Sequence, residues 1–160
     1  GGELRVESRI GQGTAFTVLL PMATPAAAPP CWSGTVLLVE DDPAARRIIH
    51  DTLEAMGHRI IQCADGQEAL EVLRSGNPVH LVITDMMMPR MGGRKLIRIL
   101  RGDMELGQIP VLILSAVARE DEVRDLEQPG VTRFLPKPLN MQHLRAVVTE
   151  LLGPAPGGRP

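Results

Sequence analysis

Apolar residues follow two alternating spacings along most of the chain, between residues 35 and 152. Five short runs of strand length are almost wholly apolar, and in the segments between them apolar residues recur every three or four positions, as on one face of a helix. Because the strand-like runs are continuous, we expect both faces of the sheet to be covered. The predicted strands are 35–39, 59–63, 81–84, 111–114 and 133–135, and the predicted helices are 43–56, 66–74, 93–101, 120–127 and 140–152. This order predicts an α/β fold in which a doubly wound, five-stranded parallel sheet carries five helices.

A shorter piece with a different pattern precedes this region. In residues 1–20, apolar and polar positions alternate in two stretches around a Gly-Gln-Gly turn, which predicts a short β-hairpin. A hairpin alone is marginally stable in water, so we expect it to lean on part of a longer protein. Residues 21–34 are rich in proline and alanine and predict a semi-stiff linker. With a Pro/Gly-rich flexible tail at 153–160, the chain divides into hairpin, linker, main domain (35–152) and tail.

Composition narrows the class of protein. Hydrophobic residues make up 44% of the chain, enough for a packed core. Two phenylalanines and one tryptophan are too few for a surface on which nucleic-acid bases stack. With 17 Lys and Arg against 19 Asp and Glu, the basic excess of a nucleic-acid-binding protein is missing as well. No apolar run approaches the ~20 residues of a membrane span, and no signal peptide is evident. We therefore predict a cytoplasmic domain with reduced thiols, no nucleic-acid partner and no direct membrane contact.

Chemically active residues follow four of the five predicted strands. Glu40 and Asp41 come after the first strand, Asp85 after the third, Ser115 after the fourth and Lys137 after the fifth. Since the carboxyl ends of parallel strands share one edge of the sheet, we expect these side chains to converge there. Crowded carboxylates repel one another, and a hard divalent cation such as Mg²⁺ relieves that repulsion. A lysine and a hydroxyl suit phosphate oxygens, so the pattern predicts phosphoryl transfer to a carboxylate nucleophile.

The segment TDMMMPRMGG, Thr84–Gly93, places these residues in a recognisable pattern. It resembles the receiver domains of response regulators, in which a phosphoacceptor Asp is followed by Met-Pro and a later Gly. The acid pair, the acceptor, the hydroxyl residue and the lysine stand in the family's order across residues 35–152. The resemblance implies a flavodoxin-like sheet of strand order 2-1-3-4-5. It also implies a phosphorelay function, in which Asp85 takes a phosphoryl group from a kinase phosphohistidine and the domain relays it to a partner or hydrolyses it slowly.

The resemblance implies a role for each residue of the pattern. The residues implied in catalysis are Asp85, Lys137 and Ser115. Those implied to bind phosphate oxygens are Ser115, Ala116 and Lys137, and the implied switch positions are Ser115 and Phe134. The implied Mg²⁺ ligands are Glu40 (through water), Asp41, Asp85 and the backbone carbonyl of Met87. The Lys137-Pro138 peptide is expected to be cis.

Positions next to this pattern refine the expectation. In the family, the positions of Met87 and Val117 flank the approach of water, and because both residues are apolar here, we expect slow loss of the phosphoryl group. Asp42 is predicted to cap the first helix, whereas Gly92 predicts a looser start to the third helix. The three consecutive methionines, residues 86–88, are interpreted as a buried loop.

The front piece resembles the end of the ATP-binding domain of histidine kinases. The matching residues are Gly1, Gly2, Glu7, Ser8, Gly11, Gly13, Thr14, Phe16, Leu20 and Pro21. None of the ATP-binding boxes is present, so we expect this chain neither to bind ATP nor to phosphorylate itself from ATP. The resemblance implies the C-terminal part of a hybrid sensor histidine kinase, whose parent protein could be membrane-anchored. The implied partners are the kinase domain of the same protein and a histidine phosphotransfer protein.

Two other functions fit the same fold. A phosphorylation-independent domain would regulate its parent kinase by docking alone, and Mg²⁺-dependent binding of a phosphate analogue would distinguish the two. A flavin-binding domain of the same sheet order would need a phosphate-cradling loop after the first strand and aromatic residues around the flavin. That loop is acidic here and aromatic residues are nearly absent, which disfavours flavin binding.

Overall fold

The computed structural model describes residues 34–116 and 132–152 in full and the backbone of residues 3–9 and 13–19. The chain forms two compact units, Gly1–Pro30 and Cys31–Pro160. In the first unit, β1 (Glu3–Arg9) and β2 (Gly13–Leu19) pair antiparallel, with Glu3 opposite Leu19 and Arg9 opposite Gly13. The predicted hairpin is therefore confirmed.

The second unit alternates strands and helices as predicted. Its strands are β3 (Thr35–Val39), β4 (Arg59–Cys63), β5 (Leu81–Asp85), β6 (Val111–Ser115) and β7 (Thr132–Pro136). Its described helices are α1 (Pro43–Glu54), α2 (Gly66–Arg74), α3 (Gly93–Arg101) and α4 (Met141–Leu152), with a 3₁₀ turn at Leu106–Gln108. The helix predicted at 120–127 lies outside the described residues. Among the helices described here, none is long and apolar enough to cross a bilayer.

The five strands of the second unit form one parallel sheet in the order β4-β3-β5-β6-β7. Counted within this unit, that is the predicted order 2-1-3-4-5, which is confirmed. The chain leaves β3 toward β4 on one side and returns to β5 on the other. In such sheets a crevice opens where the strand order reverses, outside the carboxyl ends of the strands. The residues after β3 and β5 therefore border this crevice.

Each face of the sheet has its own apolar layer. On β3, Leu37 and Val39 belong to the cluster formed with α2 and α3, whereas Val36 and Leu38 belong to the cluster formed with α1 and α4. All four side chains have no exposed surface. Burying an aliphatic side chain of this size contributes about 1.5–3 kcal/mol, so the strands that carry the site are anchored from both sides.

Local signals set the ends of the helices beside the crevice. Asp42 accepts a hydrogen bond from the Ala44 amide at 2.9 Å, which confirms the predicted cap of α1. Pro43 occupies the first turn, where a missing N–H costs nothing. Gly92 precedes α3 and provides no side-chain cap. The start of α1 is therefore fixed by its own sequence, whereas the start of α3 depends on contacts with the rest of the fold.

Candidate functional site

The acidic loop after β3 is held by its backbone. The Glu40 amide donates to the Cys63 carbonyl at 3.2 Å, and the Glu40 carbonyl accepts from the Arg46 guanidinium at 2.5 Å. The Glu40 side chain is only 1% exposed, whereas Asp41 is exposed. One acid therefore lies at the floor of the crevice and the next at its rim.

Asp85 is the last residue of β5 and is 9% exposed. Its Oδ1 accepts the Met87 amide at 3.2 Å, and its carbonyl accepts the buried Thr84 hydroxyl at 3.0 Å. A Cβ at position 93 would overlap the Asp85 carbonyl oxygen, so the close approach of α3 requires Gly93. These contacts hold the Asp85 backbone and leave its Oδ2 facing the centre of the site.

Lys137 joins the two buried acids. Its Nζ lies 2.6 Å from Asp85 Oδ2 and 2.9 Å from Glu40 Oε2. Its amide donates to the Ser115 carbonyl at 2.8 Å, which places the lysine beside the end of β6. The Lys137-Pro138 peptide is cis, as predicted. The convergence of residues from β3, β5 and β7 at one sheet edge is therefore confirmed.

Negative charge exceeds positive charge in this cluster. The ligand atoms of Glu40, Asp41 and Asp85 lie within 4.8 Å of one another, and each offers a carboxylate oxygen. Lys137 supplies one positive charge. Three ionised carboxylates and one ammonium leave an excess of two negative charges, which matches a divalent cation with a preference for oxygen ligands.

The pKa directions reflect the same imbalance. Burial raises the pKa of Glu40, with a further increase from the charge of Asp85, while the hydrogen bond and charge of Lys137 oppose that change. Burial also acts on Lys137 and would lower its pKa. The hydrogen bonds to Asp85 and Glu40, together with their charges, outweigh burial, so the pKa of Lys137 is raised. The lysine is held charged, and a second cation would reduce the cost of ionising Glu40.

Strand register brings Ser115 to the same edge, whereas Phe134 lies in the middle of β7. Asp85 pairs with Leu114, so Ser115 lies one residue farther along β6, and Ser115 pairs with Pro136. Ser115 is half-buried and Ala116 is exposed. Phe134 is half-buried and packs against the apolar cluster of α2 and α3.

The expectation of a buried loop at residues 86–88 is wrong for Met87. Its side chain is 81% exposed, whereas Met86 and Met88 are half-buried and pack against the apolar cluster. Met86 and Met88 pack against the apolar cluster, and the bent backbone between them leaves the Met87 side chain facing outward.

Sequence reasoning missed three contributors to the geometry. Thr84 was a readable signal, since a polar residue inside an otherwise apolar strand needs a hydrogen-bond partner. Arg46 and Arg90 gave no such signal, because their partners are set by tertiary packing. Arg90 has a positive φ of 60° and forms ion pairs with Asp65 and Glu68.

Together these features define a class: a parallel, doubly wound α/β domain with an acid cluster and a lysine at the carboxyl edge of its sheet. A family model described as the response regulator receiver domain matches residues 36–149. The chain belongs to this family, and its main domain is a receiver domain of two-component signalling.

Three comparisons illustrate the relationship. The sensor kinase CckA of Brucella abortus is 33% identical over 95% of this chain, and the chain spans 18% of the length of CckA. The chemotaxis protein CheY of Pseudomonas aeruginosa is 35% identical, with 72% of this chain and 94% of CheY covered. The solved signal receiver domain of a signal transduction histidine kinase from Syntrophus aciditrophicus is 35% identical. It superposes with a TM-score of 0.67 over 75% of this chain and 90% of that one.

Proposed function

We propose that Asp85 accepts a phosphoryl group from a kinase phosphohistidine, with Mg²⁺ held beside it, and that the domain relays this group or hydrolyses it slowly. The observation that carries the proposal is the position of Lys137, 2.6 Å from Asp85 and 2.9 Å from the buried Glu40. A single ammonium shared by two acids can move to phosphoryl oxygens without leaving the site.

The transfer step makes one bond and breaks one bond. An oxygen of Asp85 attacks the phosphorus, the P–N bond to the donor histidine breaks, and its electron pair remains on the imidazole nitrogen, which takes up a proton. Lys137 pairs with the incoming phosphoryl oxygens, and the Ser115 hydroxyl and Ala116 amide donate to them. In hydrolysis, water attacks the phosphorus and the P–O bond to Asp85 breaks. Inorganic phosphate leaves, and the Asp85 carboxylate is restored.

The acid cluster suits Mg²⁺ by the chemistry of its donors. Asp41, Asp85 and the Met87 carbonyl would bind the ion, and Glu40 would hold it through water. The carboxylate oxygens of the three acids lie close enough to share one ion, and all proposed ligands are the hard oxygen donors that Mg²⁺ prefers. When bound, Mg²⁺ offsets the negative charge on the carboxylate and the phosphoryl oxygens as they approach.

We infer that residues 1–20 end a kinase ATP-binding domain, that residues 21–34 link it to the receiver at 35–152, and that 153–160 form a tail. CckA aligns over 95% of this chain, which requires most of the residues before β3 to be included. The partners would then be the kinase domain of the same cytoplasmic chain and a histidine phosphotransfer protein. Tethering raises the concentration of phosphohistidine near Asp85.

Intact-protein mass after incubation with acetyl phosphate and Mg²⁺ tests the proposal. The parent chain should gain the mass of one phosphoryl group, and Asp85→Asn should gain none. Asp42→Asn is a matched control in the adjacent loop, since asparagine also caps helices well, and it should be phosphorylated like the parent. Equal gain in Asp85→Asn would contradict the assignment of Asp85. No gain in a parent chain that binds Mg²⁺ would favour the docking-only function.

A further inference from the structure

The loop between β5 and α3, residues 86–92, contains a strained turn. The Met91 amide donates to the Pro89 carbonyl at 2.7 Å, and the residue between them, Arg90, has a φ of 60°. A hydrogen bond spanning three residues around a positive φ is the rare form of the γ-turn. A side chain disfavours this backbone, so other contacts must hold Arg90 in place.

The Arg90 side chain supplies those contacts. Its Nη2 forms ion pairs with Asp65 and with Glu68 Oε1, the latter at 3.0 Å. Asp65 has a side chain only 1% exposed, whereas the Arg90 side chain is 62% exposed. A buried carboxylate therefore receives its ionic partner from the surface of a neighbouring loop. We call the contact of Arg90 with Asp65 and Glu68 the arginine clasp.

Both acids of the clasp also accept hydrogen bonds from backbone amides at the start of α2. Asp65 Oδ1 caps α2 by accepting the amides of Gln67 and Glu68 at 2.7 and 3.1 Å. Glu68 Oε2 accepts the Ala64 amide at 2.9 Å. In each acid, the remaining oxygen pairs with Arg90. The clasp thus joins the site loop to a rigid helix start rather than to a mobile side chain.

Backbone contacts place the clasp and the site on one loop. The Gly66 amide donates to the Met91 carbonyl at 2.9 Å, and a Cβ at Gly66 would lie 2.8 Å from that oxygen. At the other end of the loop, the Met87 amide donates to Asp85 Oδ1. The segment that is anchored to α2 is therefore the segment whose Met87 carbonyl would face the metal.

We propose that Arg90 is a positioning residue: through the arginine clasp it holds the loop in the conformation that presents the Met87 carbonyl beside Asp85, and so sets the affinity for Mg²⁺. This inference rests on the proposed function. It makes a prediction opposite to that of simple electrostatics. Removing a cation near a metal site would tighten Mg²⁺ binding through charge alone, whereas loss of the clasp weakens binding by loosening a ligand.

The test measures Mg²⁺ binding by calorimetry and stability by urea unfolding in EDTA for five variants, one of them a double variant. Arg90→Ala should weaken Mg²⁺ binding about tenfold, as expected when an outer support of a ligand is lost. Arg90→Lys, which keeps the charge, should restore most of the affinity. Glu68→Gln should weaken binding less, and adding it to Arg90→Ala should have little further effect, because both act through one contact. Arg47→Ala, which removes an exposed arginine on α1, is the matched control and should bind Mg²⁺ like the parent.

Several results would overturn the inference. They are unchanged or tighter Mg²⁺ binding in folded Arg90→Ala, equal effects of Arg90→Ala and Arg47→Ala, or a loss of stability in EDTA with no change in affinity. Absence of Mg²⁺ binding by the parent chain would also overturn it. A parent chain that binds Mg²⁺ but takes no phosphoryl group from acetyl phosphate would contradict only the proposed function. The Mg²⁺ affinities of Arg90→Ala and the parent chain would still test the clasp.

Discussion

Polar groups are arranged differently at the amino and carboxyl edges of the parallel sheet. At the amino edge, the Thr35 amide donates to His80 Nδ1 at 3.0 Å, and the His80 amide donates to the Thr35 carbonyl at 2.9 Å. Arg101, at the end of α3, donates to the carbonyls of Gly107 and Ile109 at 2.8 and 3.0 Å and to the Thr132 hydroxyl at 3.2 Å. These donors and acceptors are paired with one another, whereas His58 Nδ1 at the same edge has no hydrogen-bond partner among the described residues.

At the carboxyl edge, acids outnumber their cation. Glu40, Asp41 and Asp85 lie close together, and Lys137 forms ion pairs with Glu40 and Asp85. Repulsion among them costs stability that the apolar layers of the same sheet offset. A fold can thus pair most polar groups at one edge for stability and leave the other edge charged for ligands. Variants at each edge separate these two roles.

Lys137→Ala should have the largest effect, because it leaves two buried acids without a counter-charge. We expect phosphorylation by acetyl phosphate to slow about 100-fold. The free energy of unfolding in EDTA should fall by about 3 kcal/mol, and Mg²⁺ should restore part of the loss by replacing the missing charge. Phosphorylation kinetics and urea unfolding measure these changes. Lys95→Ala, which removes an exposed lysine on α3, is the control. An equal loss of phosphorylation rate and stability in Lys95→Ala would show that the effect is not specific to Lys137.

Arg101→Ala should destabilise the fold at the amino edge and leave phosphorylation of Asp85 unchanged. It removes hydrogen bonds to two carbonyls and a hydroxyl, and we expect unfolding to become easier by about 2 kcal/mol. Phosphorylation per folded molecule should stay at the parent rate. Urea unfolding and intact mass report the two properties, with Arg74→Ala at the exposed end of α2 as the control. A phosphorylation defect in folded Arg101→Ala would mean that the two edges are coupled.

Met87→Asn should sharpen the description of the carboxyl edge. The exposed methionine is expected to exclude water from the phosphoryl group. A polar side chain at this position should therefore shorten the half-life of the phosphorylated form by up to about tenfold. Met104→Asn, which changes another exposed methionine away from the site, is the control. Decay of the mass-shifted species over time measures the half-life. An unchanged half-life would show that Met87 does not slow the loss of phosphate.

His58→Gln should produce the smallest effect, visible only as a pH dependence. His58 directly precedes β4 at the amino edge, its Nδ1 is buried without a hydrogen-bond partner, and burial lowers its pKa below the usual 6.5. As the pH falls below about 6.5, His58 takes up a proton in the unfolded state before it does so in the folded state. The free energy of unfolding is therefore highest above this pH and decreases as the pH falls toward the lower pKa of the folded state. Urea unfolding between about pH 7.5 and about pH 5.5 should show a shallower decline in the variant. An equal decline would exclude His58 as the cause.

Local pattern predicted the elements well because each signal is short-range. The apolar run of β3 ends where Glu40 begins, and the predicted strands match the observed ones to within one residue at each end. The predicted end of α1 extended to residue 56, but the helix ends at Glu54. The residues that follow form a turn, in which the Met56 amide donates to Leu53 and Gly57 has a positive φ of 89°. Apolar spacing continues through that turn and hides the boundary.

The positions of residues at strand ends could be predicted from the sequence, whereas the directions of side chains in the loop after β5 could not. Asp85 and Lys137 were identifiable because each follows a strand. The exposure of Met87 and the left-handed backbone of Arg90 were not, since both depend on how the loop meets α2. The sequence around an arginine in a loop does not show whether its side chain pairs with a buried acid or is solvated.

The sequence by itself determined the order of strands and helices, the apolar faces and the residues that follow each strand, because these depend on spacing within a few residues. Only the tertiary structure decided that Lys137 meets Asp85, 52 residues away, and Glu40, 97 residues away. The pairing of parallel strands between distant segments brings those ends together. Pairing depends on hydrogen bonds and packing across the whole sheet, which no local pattern encodes.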